Sequence, residues 1–346
     1  MPLFGYNYNK PGKGVDPNAP KKHPFLLFWE LIGRKFFKYV LLNIMYFVII
    51  SPIVVYIYAA FYGWLVSIGQ IERETIVSFL LELFSNVVSY IPSVLHLPLL
   101  VISLLLYGPI TAGLTYMLRN FAREEHAFTS DFFSKALENW KQGLVFGILD
   151  ILAFLVLWVN INYSALVGAN TVGMELFGVF VKYFTIVLFV LYLFMRFYTY
   201  QMIVTAELSV RAILKNAWLF AILGLGRNII ATVGILLSVV VFIFINPVIE
   251  MFAIPLFAFS FCRFIAVYTT YPIIEKYIIK PVRDAEKAKA EKDIAEALGG
   301  RGGELPPELG GPGAGARAYE AISGADYRSE TDSKQDSDSN SDTDSE

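Results

Sequence analysis

The chain has 346 residues, 56% of them apolar, 16% aromatic and 17% charged. A soluble domain averages about 45–50% apolar and about 25% charged, which excludes a water-soluble globule here, and the single cysteine, Cys262, excludes an internal disulfide and a cysteine zinc knuckle. The net charge of −2 hides an acidic end: seven acids and one base from Ser329 to Glu346 give −6 and leave +4 for the rest.

The opening segment 1–23, "MPLFGYNYNKPGKGVDPNAPKKH", is polar, so it is no cleaved signal peptide and the first span is expected to act as the insertion signal. Six apolar spans follow, at about 39–64, 97–118, 143–160, 175–197, 228–249 and 251–274. Windows such as Tyr39–Leu65 and Ile229–Ile249 carry no charge and are long enough to cross about 30 Å of hydrocarbon at about 1.5 Å per residue. The sequence therefore predicts an all-α integral membrane protein, a six-span helical bundle.

Lysine and arginine set the expected orientation, because basic loops stay cytoplasmic. Lys10, Lys13, Lys21, Lys22, Arg34, Lys35 and Lys38 precede the first span. Arg119, Arg123, Lys135 and Lys141 lie between the second and third, and Arg211 and Lys215 between the fourth and fifth. The alternate loops hold Arg73 alone, while Glu72, Glu74, Asn170 and Glu250 fall on that other side. This bias predicts a multi-pass protein of the cell membrane with both termini cytoplasmic.

Three of the cytoplasmic segments look alike. In "TSDFFSKALENWKQGLVFG", Phe132, Phe133, Ala136, Leu137 and Trp140 share one face of a helix that Thr129 or Ser130 can cap. In "LSVRAILKNAWLFAILG", Val210, Ile213, Leu214 and Ala217 repeat the pattern, and the two segments align at Leu137/Leu214, Asn139/Asn216 and Gly147/Gly224. A looser version, "HPFLLFWELIGRKFFKYV", precedes the first span. The expectation is a pseudo-threefold repeat of interfacial helix, outward span and returning span, against the alternative of chance likeness between amphipathic segments.

Within the second span, Gly108–Pro109 interrupts an apolar run. Proline removes one hydrogen bond and crowds the preceding turn, while Gly108, Ala112 and Gly113 offer a small face for close approach of another helix. A kink with tight packing and a binding cleft are the two readings. The remaining informative residues are charges inside spans: Asp150, Lys182, Arg196 and Arg263. A charge at the membrane centre costs at least about 2.5–3.5 kcal/mol on insertion scales, so it pairs, faces the bundle interior or snorkels. Lys182 and Arg196 have stems long enough to snorkel. Asp150 has not, and Arg263 at similar depth is its expected partner, as a structural ion pair or as part of a solute or proton site.

The blocks "FGYNYNKPGKGV", "YGPITAGLTYMLRNFAREEH", "NWKQGLVFGILD", "RFYTYQMIVTAELSVRAILKNAWLFAILGLGRN" and "YPIIEKYIIKP" occur in this order from Phe4 to Pro281. Together they resemble the YesL-like bacterial membrane proteins, and the interfacial-helix units are more distantly similar to the membrane domain of some glycerophosphodiester phosphodiesterases. The resemblance implies a bacterial multi-pass protein associated with carbohydrate uptake, and it brings no catalytic residues. Past Pro281 the chain departs from that pattern. There "VRDAEKAKAEKDIAEAL" reads as a solvated helix, a glycine- and proline-rich linker follows, and the acidic end of the 281–346 segment is expected to be disordered, a solubilising extension or a docking tail.

No phosphate loop, H-E-x-x-H pair or G-x-S-x-G elbow occurs, and His23, His96 and His126 are scattered over different segments. No enzyme activity, cofactor, metal or nucleic acid is expected. The function expected from residues and resemblance together is a non-enzymatic accessory or assembly protein with the lipid bilayer, a membrane permease complex or a second copy as partner. A small-solute transporter or channel is the alternative.

Overall fold

In the computed structural model the described residues are 22–67, 93–170, 175–244, 249 and 252–299. The opening segment before 22, the loop with Glu72 to Thr75, Glu250, and the linker and acidic end beyond 299 lie outside them. Every regular element among the described residues is helical. They are α1 (Pro24–Arg34), α2 (Phe36–Ser67), α3 (Ser93–Ala122), α4 (Ser130–Glu138), α5 (Trp140–Asn170), α6 (Glu175–Ile203), α7 (Val210–Leu223), α8 (Leu225–Val239), α9 (Phe259–Ile274) and α10 (Lys280–Gly299). Five-residue π-helical turns sit at Val240–Phe244, Ile254–Ala258 and Glu275–Ile279.

Six helices are long and apolar enough to cross a membrane: Phe36–Ile57, Leu95–Ala122, Trp140–Ile161, Leu176–Ile203, Leu225–Phe242 and Ile254–Ala290. The chain is an all-α six-span bundle, a multi-pass membrane protein. The helices run past the apolar stretches of the sequence at several ends, because interfacial residues such as Lys38, Arg119 and Tyr198 to Ile203 continue the same backbone hydrogen bonding. The chain divides into two units, Met1–Tyr271 and Pro272–Glu346. The described part of the second is the end of α9, a π turn and α10, whose residues 281–289 are exposed and of mixed charge, the solvated helix expected there.

Residue pairs fix the direction of each span in the first unit. Tyr46 meets Thr111 while Tyr39 meets Phe121, so α2 and α3 are antiparallel. Asp150 meets Tyr192 while Phe154 meets Phe189, which makes α5 and α6 antiparallel as well. Tyr107 meets Arg196 and Arg119 meets Thr205, so α3 and α6 run the same way. Tyr39 on Phe264 with Tyr46 on Phe259 sets α9 against α2, and Arg227 on Thr269 with a Gly234–Ile265 approach sets α8 against α9. Directions alternate through all six spans, and α3, α6 and α9 share one sense.

Three short helices, α1, α4 and α7, lead into α2, α5 and α8 after a single residue each, in the order the repeated pattern predicts. Each has a face turned into the bundle and a face turned out. On α4, Phe132 and Ala136 are buried, whereas Phe133 and Leu137 are exposed beside Trp140. On α7, Ile213, Ala217, Phe220 and Ala221 are buried, whereas Trp218, Leu219 and Ile222 are exposed. On α4 the single apolar face read from the sequence is thus split between protein and surroundings, whereas on α7 the face read there, Val210, Ile213, Leu214 and Ala217, is buried or half-buried. The α4 cap also differs from expectation: Thr129 makes no side-chain bond, and Asp131 reaches back to accept from the Phe128 N–H at 2.9 Å. The carboxylate wins because it accepts a charge-assisted bond at a helix N-terminus.

The buried apolar cluster lies where these short helices meet the spans. Leu31 and Ile32 of α1, Tyr39 and Leu42 of α2, Leu114, Leu118 and Phe121 of α3, Phe132 of α4 and Phe264 of α9 form it. Phe28 stacks on Phe264 at 5.3 Å and the Tyr268 hydroxyl donates to the Pro24 carbonyl at 2.7 Å, which seats α1 on α9.

Candidate functional site

The sequence of α5 positions the site. Gly143, Gly147 and Asp150 fall at i, i+4 and i+7, one face of the helix. The first two let the α3 and α5 backbones touch. A Cβ on Gly108 would stand 1.9 Å from the Gly143 carbonyl oxygen, one on Gly143 would stand 2.7 Å from Pro109 Cα, and one on Gly147 would stand 2.9 Å from Gly108 Cα. Helix α3 continues through Pro109. Gly113 serves a different neighbour, since its Cβ would meet the Phe132 carbonyl oxygen of α4 at 2.2 Å, and Ala112 is fully buried. The small face foreseen around Gly108 is therefore two contacts, one on each side of α3.

One turn beyond Gly147, Asp150 is buried and both of its carboxylate oxygens are hydrogen-bonded. Tyr192 donates to Oδ1 at 2.5 Å, Tyr200 donates to Oδ2 at 2.8 Å, and Arg196 Nε donates to Oδ2 at 2.8 Å. These three side chains come from i, i+4 and i+8 of α6, a stripe that faces α5. The Arg196 guanidinium also donates to the Tyr107 hydroxyl of α3, so one ion pair ties three helices together. An opposite charge and three hydrogen bonds compensate the cost of burying the carboxylate.

Arg263 is not the partner of Asp150, contrary to expectation. Helices α5 and α6 are joined by residues 171–174, and positions 150 and 196 lie about equally far from that connection, so the antiparallel pair delivers Arg196 directly. Arg196 accordingly turns into the bundle and does not snorkel. Arg263 is brought to the same place by α9, with its guanidinium carbon 4.8 Å from the Tyr200 ring centroid, where that of Arg196 stands at 5.5 Å. Its Nη2 atom is buried without a hydrogen-bond partner. Lys182 is half-buried and fourteen residues before Arg196 on α6, about 21 Å along the axis, so it stays outside the cluster.

Several residues that shape the site escaped the sequence reading. The run "YLFMRFYTY" holds the signal for one of them: Tyr192, Arg196 and Tyr200 at helical spacing form a polar stripe in an apolar span. Tyr46 and Thr111 share a bond at 3.0 Å between α2 and α3. Asn43, a lone amide in an uncharged span, donates to the carbonyls of Ile254 and Pro255 at 2.9 and 2.8 Å and accepts from the Ser260 N–H at 2.9 Å. It bridges backbone groups of the π turn and of the first turn of α9. Arg119 is buried under the end of α6, donating to the Val204 carbonyl and to Thr205 Oγ1 at 2.9 Å, a cation at a helix C-terminus.

Among the described residues no three His, Cys, Asp or Glu side chains gather as metal ligands. The arrangement offers two fixed cations, one fixed anion and a shell of tyrosine hydroxyls. It can hold helices together, and it can recognise charge. No family model, curated protein or solved structure matches the chain.

Proposed function

We propose that the chain is a non-enzymatic accessory or assembly protein of a bacterial cell membrane, YesL-like in kind and associated with a carbohydrate-uptake system. One observation carries this reading: the Asp150 carboxylate is filled by the chain's own Tyr192, Tyr200 and Arg196. A carboxylate with both oxygens bonded within the chain, beside helices in backbone contact, suits a packed scaffold better than an ion path. Affinity purification of the full chain from its native membrane tests it. A stoichiometric permease partner is the expected result, and a solitary homo-oligomer would overturn it.

The alternating basic bias supports an orientation with both termini cytoplasmic and α1, α4 and α7 in the cytoplasmic interface. In a Cys262→Ala background, Thr129→Cys, Thr75→Cys and Asn170→Cys would be probed one at a time with an impermeant thiol reagent. The last two should react in intact cells and the first should not. Reaction of Thr129→Cys alone would invert the topology.

A small-solute transporter or channel is the second reading. Arg263 favours it, because a buried guanidinium nitrogen without an acceptor is what a bound solute would satisfy.

A further inference from the structure

We infer that Arg263 is the centre of an intramembrane binding site for a small carboxylate. Between residues 36 and 271, the described spans contain one acidic residue, Asp150, and that group is committed to Arg196. Arg196, Arg263 and Asp150 together leave one positive charge in the bundle. No backbone carbonyl accepts from the buried Nη2 of Arg263. The Tyr200 ring face, 4.8 Å away, attracts the cation but carries no net negative charge to neutralise it.

The unmatched charge is accompanied by unmatched polarity. Nη2 of Arg263 and Oγ of Ser260, both buried, have no hydrogen-bond partner, and the two residues are three apart on α9, on neighbouring positions of one face. The Tyr107 hydroxyl accepts from Arg196, which frees its own proton for a further acceptor near the same ring cluster. Arg263 as a whole retains accessible surface. A guanidinium fork fits a planar carboxylate, bound bidentately, and a single negative charge balances the cluster. A phosphate dianion would overshoot by one charge.

The site does not depend on whether the protein is an accessory subunit, so it is tested separately from partner capture. The full chain in detergent or nanodiscs would be melted in increasing sodium acetate or benzoate, with sodium chloride and phosphate at matched ionic strength. A saturable rise in melting temperature of several degrees with carboxylates is expected. Arg263→Gln should abolish the rise, Arg263→Lys should weaken it at least tenfold in apparent affinity, and Lys182→Gln should leave it intact. Arg263→Gln should itself melt close to the parent in the absence of carboxylate, since among the described residues it removes the Tyr200 ring contact and no hydrogen bond or ion pair. An equal rise with chloride or phosphate, or a rise that survives Arg263→Gln, would overturn the assignment. If Arg263→Gln fails to fold, acetate titration of Arg263→Lys decides, and unchanged affinity there contradicts the fork.

Discussion

Two contacts a turn apart on α5 join the same helices by opposite means. At Gly143 and Gly147 the α3 backbone is admitted because nothing projects, and at Asp150 the neighbouring helices are held because something does. The first depends on shape alone, and a single methyl group is enough to open it. The second depends on charge and on three donors, and it loses its purpose if any partner is left alone. Placed side by side, the tight backbone contact limits how far the tyrosines and arginines around Asp150 can move apart. The membrane offers no water to rescue a broken polar contact, so both devices are needed where the helices cross.

The steric half of this comparison should give the largest effect. Gly108→Ala puts a Cβ at 1.9 Å from a carbonyl oxygen, which only a backbone shift can relieve. A loss of about 3 kcal/mol or more is expected, seen as a lowered melting temperature and yield in detergent. Gly113→Leu should rank beside it, and Pro109→Ala should be milder than either. Gly226→Ala is the control, since its Cβ would meet nothing within 4 Å. If Gly108→Ala melts like Gly226→Ala, the contact is looser than described.

The polar half should respond next. Breaking a buried ion pair from one side costs about 3–5 kcal/mol, and partial exposure of Arg196, 23% of its side chain, lowers the expectation for Asp150→Asn to about 2 kcal/mol. Asn43→Leu leaves two carbonyls and one N–H of the π turn without partners, and should lower stability by about 1–3 kcal/mol in the same melting assay. A melt indistinguishable from the parent would show that the turn satisfies itself. Glu124→Gly should be the smallest change. Glu124 sits at φ 60°, where glycine relieves strain, and its bond to Arg34 at 2.6 Å is exposed. The two effects oppose each other and should cancel within about 1 kcal/mol; a larger loss would give that surface pair a structural weight.

Hydropathy and basic loops were enough to place six spans and the three short helices, because lipid forces every span to satisfy its own backbone and to stay apolar outside. The charges inside spans were equally visible. What could not be read was pairing. Asp150 had candidates on several helices, and the choice of Arg196 follows from the register of one antiparallel pair. The π turn at Ile254–Ala258 was hidden for a similar reason: the side chain that bonds its carbonyls, Asn43, lies 211 residues from Ile254 in the chain. The glycines were read as a small face, and the division of that face between α4 and α5 required the fold.

Double-variant cycles on the carboxylate test the central claim most directly. Asp150→Asn, Arg196→Gln and their combination would be melted beside Asp150→Asn, Arg263→Gln and theirs. The Asp150–Arg196 cycle should show a coupling of about 1 kcal/mol or more, with the double variant recovering part of the single losses. The Asp150–Arg263 cycle should show a smaller coupling, and Arg263→Gln alone should cost little. A larger coupling to Arg263 than to Arg196 would contradict the account and make Arg263 the true counter-ion.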